Sequence, residues 1–266
     1  MSIAREGLND SARLSGGNAS HFFAGAIHVE ALARLEHLVE SGLRCGIIVG
    51  PRGTGKSTVL SVFAQHCRAA GCEVVSIDVT GLDEIQFLER LAQRLEVTSR
   101  ARGRALALWS EVTDALCGRA LAGRPCVLMV DHLDRAMRDC QHLVRRLSSR
   151  GGRDLAETWI FGFSGRSFPM VLREWREQND LRIELAPLDE RESYAFVQSL
   201  LEFFGRPSDA FEGVAQALVA AASGVPAELR RMSELSLLLA EGSQSRVSGE
   251  ALGAVVDELR GLRFSA

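Results

Sequence analysis

Eight residues, Gly50-Pro51-Arg52-Gly53-Thr54-Gly55-Lys56-Ser57, separate a short apolar, β-branched run over 44–49 from a segment over 57–64 with helical apolar spacing. Strand, glycine-rich turn and helix in that order constrain the fold severely, because the strand must be buried and the helix must start where the turn ends. Glycines let successive backbone N–H groups of such a turn face one point, where the new helix adds the positive end of its dipole. Lys56 is the only lysine in the chain; every other basic residue behind the Lys+Arg total of 31 is arginine. A compact ammonium therefore occurs only where a phosphate cradle needs one. The spacing G-x-x-x-x-G-K-[ST] assigns Gly50, Pro51, Arg52, Gly53, Thr54, Gly55, Lys56 and Ser57 to phosphate binding. Lys56 would reach the β and γ phosphates, and the Ser57 hydroxyl would ligate Mg²⁺.

With 266 residues, 46% of them hydrophobic, the chain can bury a substantial core as one large domain or as a large and a small one. A formal net charge of −3 gives no global drive toward nucleic acid or an anionic membrane, so partners have to be argued from sites. Cys45, Cys67, Cys72, Cys117, Cys126 and Cys140 form no metal-binding spacing and suit reduced thiols in a cytosol. No stretch is long and apolar enough to span a bilayer, and no basic-then-apolar signal opens the chain. A cytoplasmic protein without direct membrane insertion is expected.

Residues 1–20 lack periodicity and read as a mobile arm. Helical spacing over 29–39 precedes the first strand at 44–49. Further strands are expected at 73–79, 126–130, 158–163 and 181–185, with helices at 83–95, 104–122, 139–149 and 169–177 between them. Asp83 and Gln86 form a capping box, with Leu82 and Phe87 as its hydrophobic staple. The alternation predicts an α/β fold, a three-layer αβα parallel sheet of the P-loop NTPase kind. After Pro187 only helices are expected, near 189–204, 208–223, 226–241 and 248–261, the first opened by a capping box of Asp189 and Glu192. The expected domains are the arm at 1–20, an ATPase domain at 21–187 and a helical lid at 188–266.

The run Val127-Leu128-Met129-Val130 delivers Asp131 to the C-terminal edge of a strand, where ligands of open parallel sheets bind. Such a carboxylate orders the water shell of Mg²⁺ beside the Ser57 hydroxyl; the plain alternative is a helix-capping aspartate. ATPases of this layout usually place glutamate next, to orient the attacking water, but here His132 follows, then Leu133 and Asp134. A neutral imidazole can accept the water's proton yet supplies no negative charge, so hydrolysis is expected to be slow unless Asp134 substitutes. Both residues read equally as surface positions opening a helix. Ser164 ends the next strand and reads either as a reader of the γ-phosphate or its water, or as a turn residue before Gly165. An N-K-x-D guanine reader is excluded because the one lysine is committed to phosphate, which favours adenine. Phe22, Phe23 and Ile27 could form its apolar pocket or simply pack in a core.

With these residues in place the chain resembles the AAA+ ATPases, and within them the general secretion pathway A or ExeA type, relatives of the TniB transposition ATPases. The likeness runs from about Phe22 to the end. It rests on Phe22-Phe23, the segment over 28–35, the phosphate loop, Val130-Asp131, the segment over 185–192 and Ser223-Gly224-Val225-Pro226. It implies that residues Gly50 through Thr58 bind the phosphates of ATP, that Asp131 serves Mg²⁺ and that Ser164 is the sensor 1 residue. It also implies that ATP drives assembly of rings or filaments in which an arginine of one subunit completes the next subunit's site; Arg173 and Arg176 are the candidates, or else solvated charges. Where the family's lid usually places arginine after Gly-x-Pro, this chain has Ala227, and Arg230, one turn on, is the candidate for sensor 2. His132-Leu133-Asp134-Arg135 after Asp131 also looks like the D-D-L-D-R segment of KAP-type NTPases.

The leading expectation is an ATP-dependent switch or motor that self-assembles and acts on an unidentified protein partner in secretion or envelope assembly. Two rivals remain. A DNA-acting ATPase of the TniB or initiator type would use Arg100, Arg102, Arg104, Arg145, Arg146, Arg150 and Arg153 on a phosphate backbone. A nucleotide-binding switch that hydrolyses ATP poorly would follow from His132 and Ala227.

Overall fold

The computed structural model describes residues 22–98, 103–150, 157–165, 180–205 and 212–243. In chain order these form α1 (Ala26–Glu40), β1 (Cys45–Val49), α2 (Lys56–Ala69), β2 (Glu73–Asp78), α3 (Glu84–Arg94), α4 (Ala105–Leu121) and β3 (Cys126–Asp131). A 3-10 turn (Leu133–Arg135), α5 (Arg138–Ser148), β4 (Glu157–Phe163) and β5 (Leu181–Glu184) follow, then α6 (Glu190–Phe203), α7 (Glu212–Ala222) and α8 (Pro226–Ser243). The expected arm at 1–20, the helix at 169–177 and the last helix at 248–261 lie outside the described residues.

The five strands pair in the order β2-β3-β4-β1-β5, parallel throughout. Parallel strands need crossovers, which bring helices onto the sheet faces and bury the strands on both sides. β1 and β4 accordingly have every residue buried, and β3 all but its terminal Asp131. On one face Ile47, Val75, Leu128, Trp159 and Phe161 pack with Phe87, Leu91, Leu108, Val112 and Val144 from α3, α4 and α5. On the other, Gly46 leaves room for Leu38 of α1, whose side chain lies 3.3 Å from where a Cβ would stand. Fully burying one such Leu or Phe is worth about 1.5–3 kcal/mol, so the sheet is held mainly by these two faces.

Local signals set several boundaries. Asp83 accepts from the N–H of Gln86 while the Gln86 side chain accepts from the N–H of Asp83, and Asp189 and Glu192 repeat the arrangement at α6. Leu82 and Phe87 are both buried. β4 starts one residue before the expected Thr158, because Glu157 is itself buried, with Oε2 accepting from Trp159 Nε1 at 3.2 Å.

The chain divides into two compact units, one comprising Glu30–Arg52 with Lys56–Leu185, the other Met1–Val29, Gly53–Gly55 and Ala186–Ala266. Within the second, Leu188, Phe196, Val197, Leu200, Leu218, Leu229 and Met232 form a separate core. Phe23 meets Phe196 edge-on with centroids 5.4 Å apart, and Ile27 also packs against this core. The apolar pair considered as a base pocket is thus engaged in helix packing.

Candidate nucleotide site

The strand order places the C-terminal ends of β3, β4 and β1 side by side, with β4 between the other two. Asp131 ends β3, Ser164 follows β4, and Gly50 follows β1. These are three of the predicted site residues, brought together by the register alone.

Lys56 opens α2 and is 5% exposed. Its Nζ donates to the carbonyl oxygens of Gly50 at 2.9 Å and Pro51 at 2.8 Å. Burial lowers the ammonium's pKa, Asp131 and Asp134 pull it back up, Arg135 pushes it down, and the balance lies below the ordinary value. Such a charge gains from an anion delivered to it. Ser57 Oγ donates to Asp131 Oδ2 at 2.5 Å, and Asp131 Oδ1 accepts from the N–H of His132 at 2.8 Å. Arg52 is exposed and Thr58 half-buried.

One residue that sequence reasoning passed over makes room for this carboxylate. A Cβ on Gly162 would stand 2.2 Å from Asp131 Oδ1, so only glycine fits beneath it. A glycine inside an otherwise apolar strand was the available signal.

His132 takes the left-handed conformation, φ 58° and ψ 37°, as the chain leaves β3 for the 3-10 turn. Leu133, fully buried, anchors the turn, and Gln141 Nε2 donates to the carbonyls of Leu133 and Ala136 at 3.1 Å. The turn carries Asp134 to the end of β4, where its Oδ1 accepts from the N–H of Ser164 at 3.1 Å.

The tip of the loop belongs to the second unit. Gly53 (φ 86°) and Gly55 (φ 96°) adopt conformations that disfavour any side chain, and a Cβ on either would lie 2.8 Å from a neighbour, Val225 or His28. The N–H of Ala227 donates to the Gly53 carbonyl at 3.1 Å. His28, buried, sets Nε2 2.8 Å from the Thr54 carbonyl, which makes Nε2 the protonated ring nitrogen. Sequence reasoning placed His28 only within a family motif. Arg230 pairs with Glu234 one turn along α8, Nε to Oε1 at 2.8 Å. Arg173 and Arg176 lie outside the described residues, as do Arg100, Arg102 and Arg153. Of the remaining arginines weighed for a phosphate backbone, Arg146 and Arg150 stand 4.5 and 5.8 Å from the ring centre of Trp109, and Arg150 Nη2 is 3.6 Å from Glu157.

A magnesium ion is a hard cation that takes oxygen ligands and keeps several waters. The convergence of Ser57 Oγ and Asp131 Oδ2, over a strand position without a Cβ, fits such an ion.

Residues 28–160 match the family model of the AAA ATPase domain. The general secretion pathway protein A of Aeromonas hydrophila is 23% identical over 254 residues, covering 92% of this chain but 46% of the relative. The chain thus spans about half the length of that curated relative. Among solved structures, Drosophila ORC bound to DNA matches with a TM-score of 0.68 at 15% identity, over 94% of this chain and 64% of that one. The Aeropyrum pernix ORC1 protein in complex with DNA matches at 0.65 and 14% identity, over 88% and 66%. A Thermotoga maritima RuvB variant matches at 0.56 and 15% identity, over 86% and 67%. At these identities the structural likeness establishes the fold alone. No helix among the described residues is long and apolar enough to cross a membrane.

Proposed function

The chain belongs to the AAA ATPase domain family, and from that premise we propose that it binds ATP with Mg²⁺, hydrolyses it, assembles on ATP into a ring or filament and acts on a protein partner. The observation that carries this reading is the bond from Ser57 to Asp131 across the strand ends, beside a partly desolvated Lys56. In the proposed roles, the loop from Gly50 to Thr58 cradles the phosphates, and Lys56 leaves its carbonyl partners for the β and γ oxygens. Ser57 and Asp131 would hold Mg²⁺, which when bound neutralises charge on the phosphate oxygens. His132 stands at the water side of the γ-phosphate with Ser164, Asp134 holds the N–H of Ser164 in place, Arg230 acts as sensor 2, and Arg173 or Arg176 serves a neighbouring subunit.

A secretion or envelope role is supported by the 23% likeness to general secretion pathway protein A. The DNA-acting alternative draws on the same fold as the ORC structures, but Arg146 and Arg150 are occupied over Trp109, which leaves a phosphate backbone fewer contacts. Phosphate release and light scattering over a dilution series with ATP test the reading, with and without duplex DNA. Turnover per subunit should climb with protein concentration as a larger particle forms, since an arginine supplied in trans can raise such rates by ~10³-fold or more. A particle that stays monomeric with concentration-independent turnover contradicts assembly, and stimulation by DNA alone favours the alternative.

A further inference from the structure

At the tip of the phosphate loop Gly53 (φ 86°) and Gly55 (φ 96°) flank Thr54, which is not among the residues of positive φ. An alternation of this kind turns successive backbone N–H groups toward one point and their carbonyls away from it. Because the C=O and N–H of a trans peptide point in opposite directions, the partner that takes a carbonyl also decides where the next residue's N–H goes. Two groups of the same compact unit take these carbonyls. The N–H of Ala227 donates to the Gly53 carbonyl at 3.1 Å, which turns the Thr54 N–H the other way. His28 Nε2 lies 2.8 Å from the Thr54 carbonyl, which turns the Gly55 N–H away from the imidazole.

Glycine takes φ of either sign about as readily, so the peptide between Thr54 and Gly55 needs an outside partner to keep one orientation. The His28 ring is built into place for that purpose. It is 4% exposed and packs so closely over Gly55 that a Cβ there would stand 2.8 Å from Nε2. Behind the ring, a Cβ on Gly25 would stand 3.2 Å from Nδ1, and Phe22 meets the imidazole edge-on with centroids 6.5 Å apart. Nδ1 has no hydrogen-bond partner among the described residues, so the Thr54 carbonyl is the one polar group the ring engages.

We propose that His28 is a positioning residue of the nucleotide site, whose donated hydrogen bond holds the Thr54 carbonyl outward so that the Gly55 N–H faces the α and β phosphates. The inference rests on the nucleotide-binding reading above. The neutral ring protonated at Nε2 and the imidazolium both supply the donor, so the role does not depend on the charge of the ring. Without the bond the peptide divides between two orientations. The apparent dissociation constant then rises by the reciprocal of the competent fraction.

Calorimetric titration of the full chain with ATP and with ADP, each with Mg²⁺ and at one pH, tests the proposal. His28→Leu keeps an apolar body in place and removes the donor. It should raise both dissociation constants about tenfold, the upper end for one hydrogen bond. His28→Gln, whose amide brings an N–H near the position of Nε2, should restore both to within about twofold of wild type. His28→Phe carries the leucine prediction if the leucine variant does not fold. Variants without the donor that bind as wild type overturn the proposal, as does a glutamine variant as weak as leucine, which is what ring packing alone would give. A loss confined to ATP also contradicts it, because the α and β phosphates are common to both nucleotides. Wild-type protein that binds neither nucleotide removes the nucleotide-binding reading itself, and the inference falls with it.

Discussion

The N–H of Ser164 donates to Oδ1 of Asp134 at 3.1 Å, tying the residue after β4 to the turn after β3. The bond couples the candidate sensor to the strand that carries the candidate magnesium ligand. Asp134→Asn keeps a carbonyl oxygen for that N–H, whereas Asp134→Ala removes it. The asparagine variant should retain both stability and turnover. The alanine variant should lose on the order of 1.5 kcal/mol, the worth of a hydrogen bond to a charged group, and lower turnover with it. Urea unfolding and phosphate release separate the two; an asparagine variant that is stable but inactive would make Asp134 a water-orienting group instead.

Gly162→Ala should damage the site more than the fold. Alanine is ordinarily tolerated in a strand, but here its methyl would stand 2.2 Å from Asp131 Oδ1 and displace that carboxylate from Ser57. Overpacking of this kind costs about 1–3 kcal/mol. Magnesium-dependent turnover should fall well beyond what the loss in melting temperature accounts for, and unchanged turnover would place the Asp131 carboxylate elsewhere in the working enzyme.

Glu157 gives the stability a pH dependence with a definite sign. Burial pushes its carboxyl up, while Trp159, Arg150 and Arg44 hold it down, and burial wins. The folded state therefore holds this proton more tightly than the unfolded chain. Its contribution weakens stability as pH rises from the ordinary value of 4.5 through the raised folded value, and the loss persists above. Glu157→Gln should be more stable than wild type at neutral pH, by a margin that shrinks toward pH 4.5. Melting curves of both proteins across that range check it; a margin independent of pH refutes the assignment.

The six cysteines should divide by burial. Burial pushes the thiols of Cys67, Cys126 and Cys140 up to about 12 and raises that of Cys45 further, whereas Cys72 and Cys117 are only partly covered. Thiolates are the reactive form, so native protein treated with an alkylating agent should acquire two adducts quickly and the other four only on unfolding. Mass spectrometry counts them.

What could be read from the residues, and what could not, divides by sequence distance. The two capping boxes, the buried strands and the phosphate loop are local patterns, each decided within a few residues, and the alternation of elements gave the parallel sheet. The partners of the loop and of Asp131 depend on pairings that no local pattern encodes. Asp78 meets His132 only because β2 and β3 align Asp78 with Asp131. His28 reaches the Thr54 carbonyl from a helix that begins before the first strand. Glu157 extends its strand one residue before the expected start at Thr158, with Trp159 Nε1 donating to its carboxylate and Arg150 beside it.

The central claim is that Lys56 and its loop bind the phosphates of ATP. Thermal shift with ATP and Mg²⁺, wild type against Lys56→Ala, tests it most directly. The substitution removes the loop's one ammonium and leaves the apolar core intact. Wild type at ~100 times its dissociation constant should gain about 2.7 kcal/mol, and the variant should gain nothing measurable. A Lys56→Ala protein that keeps the wild-type ATP-induced stabilisation would contradict the account.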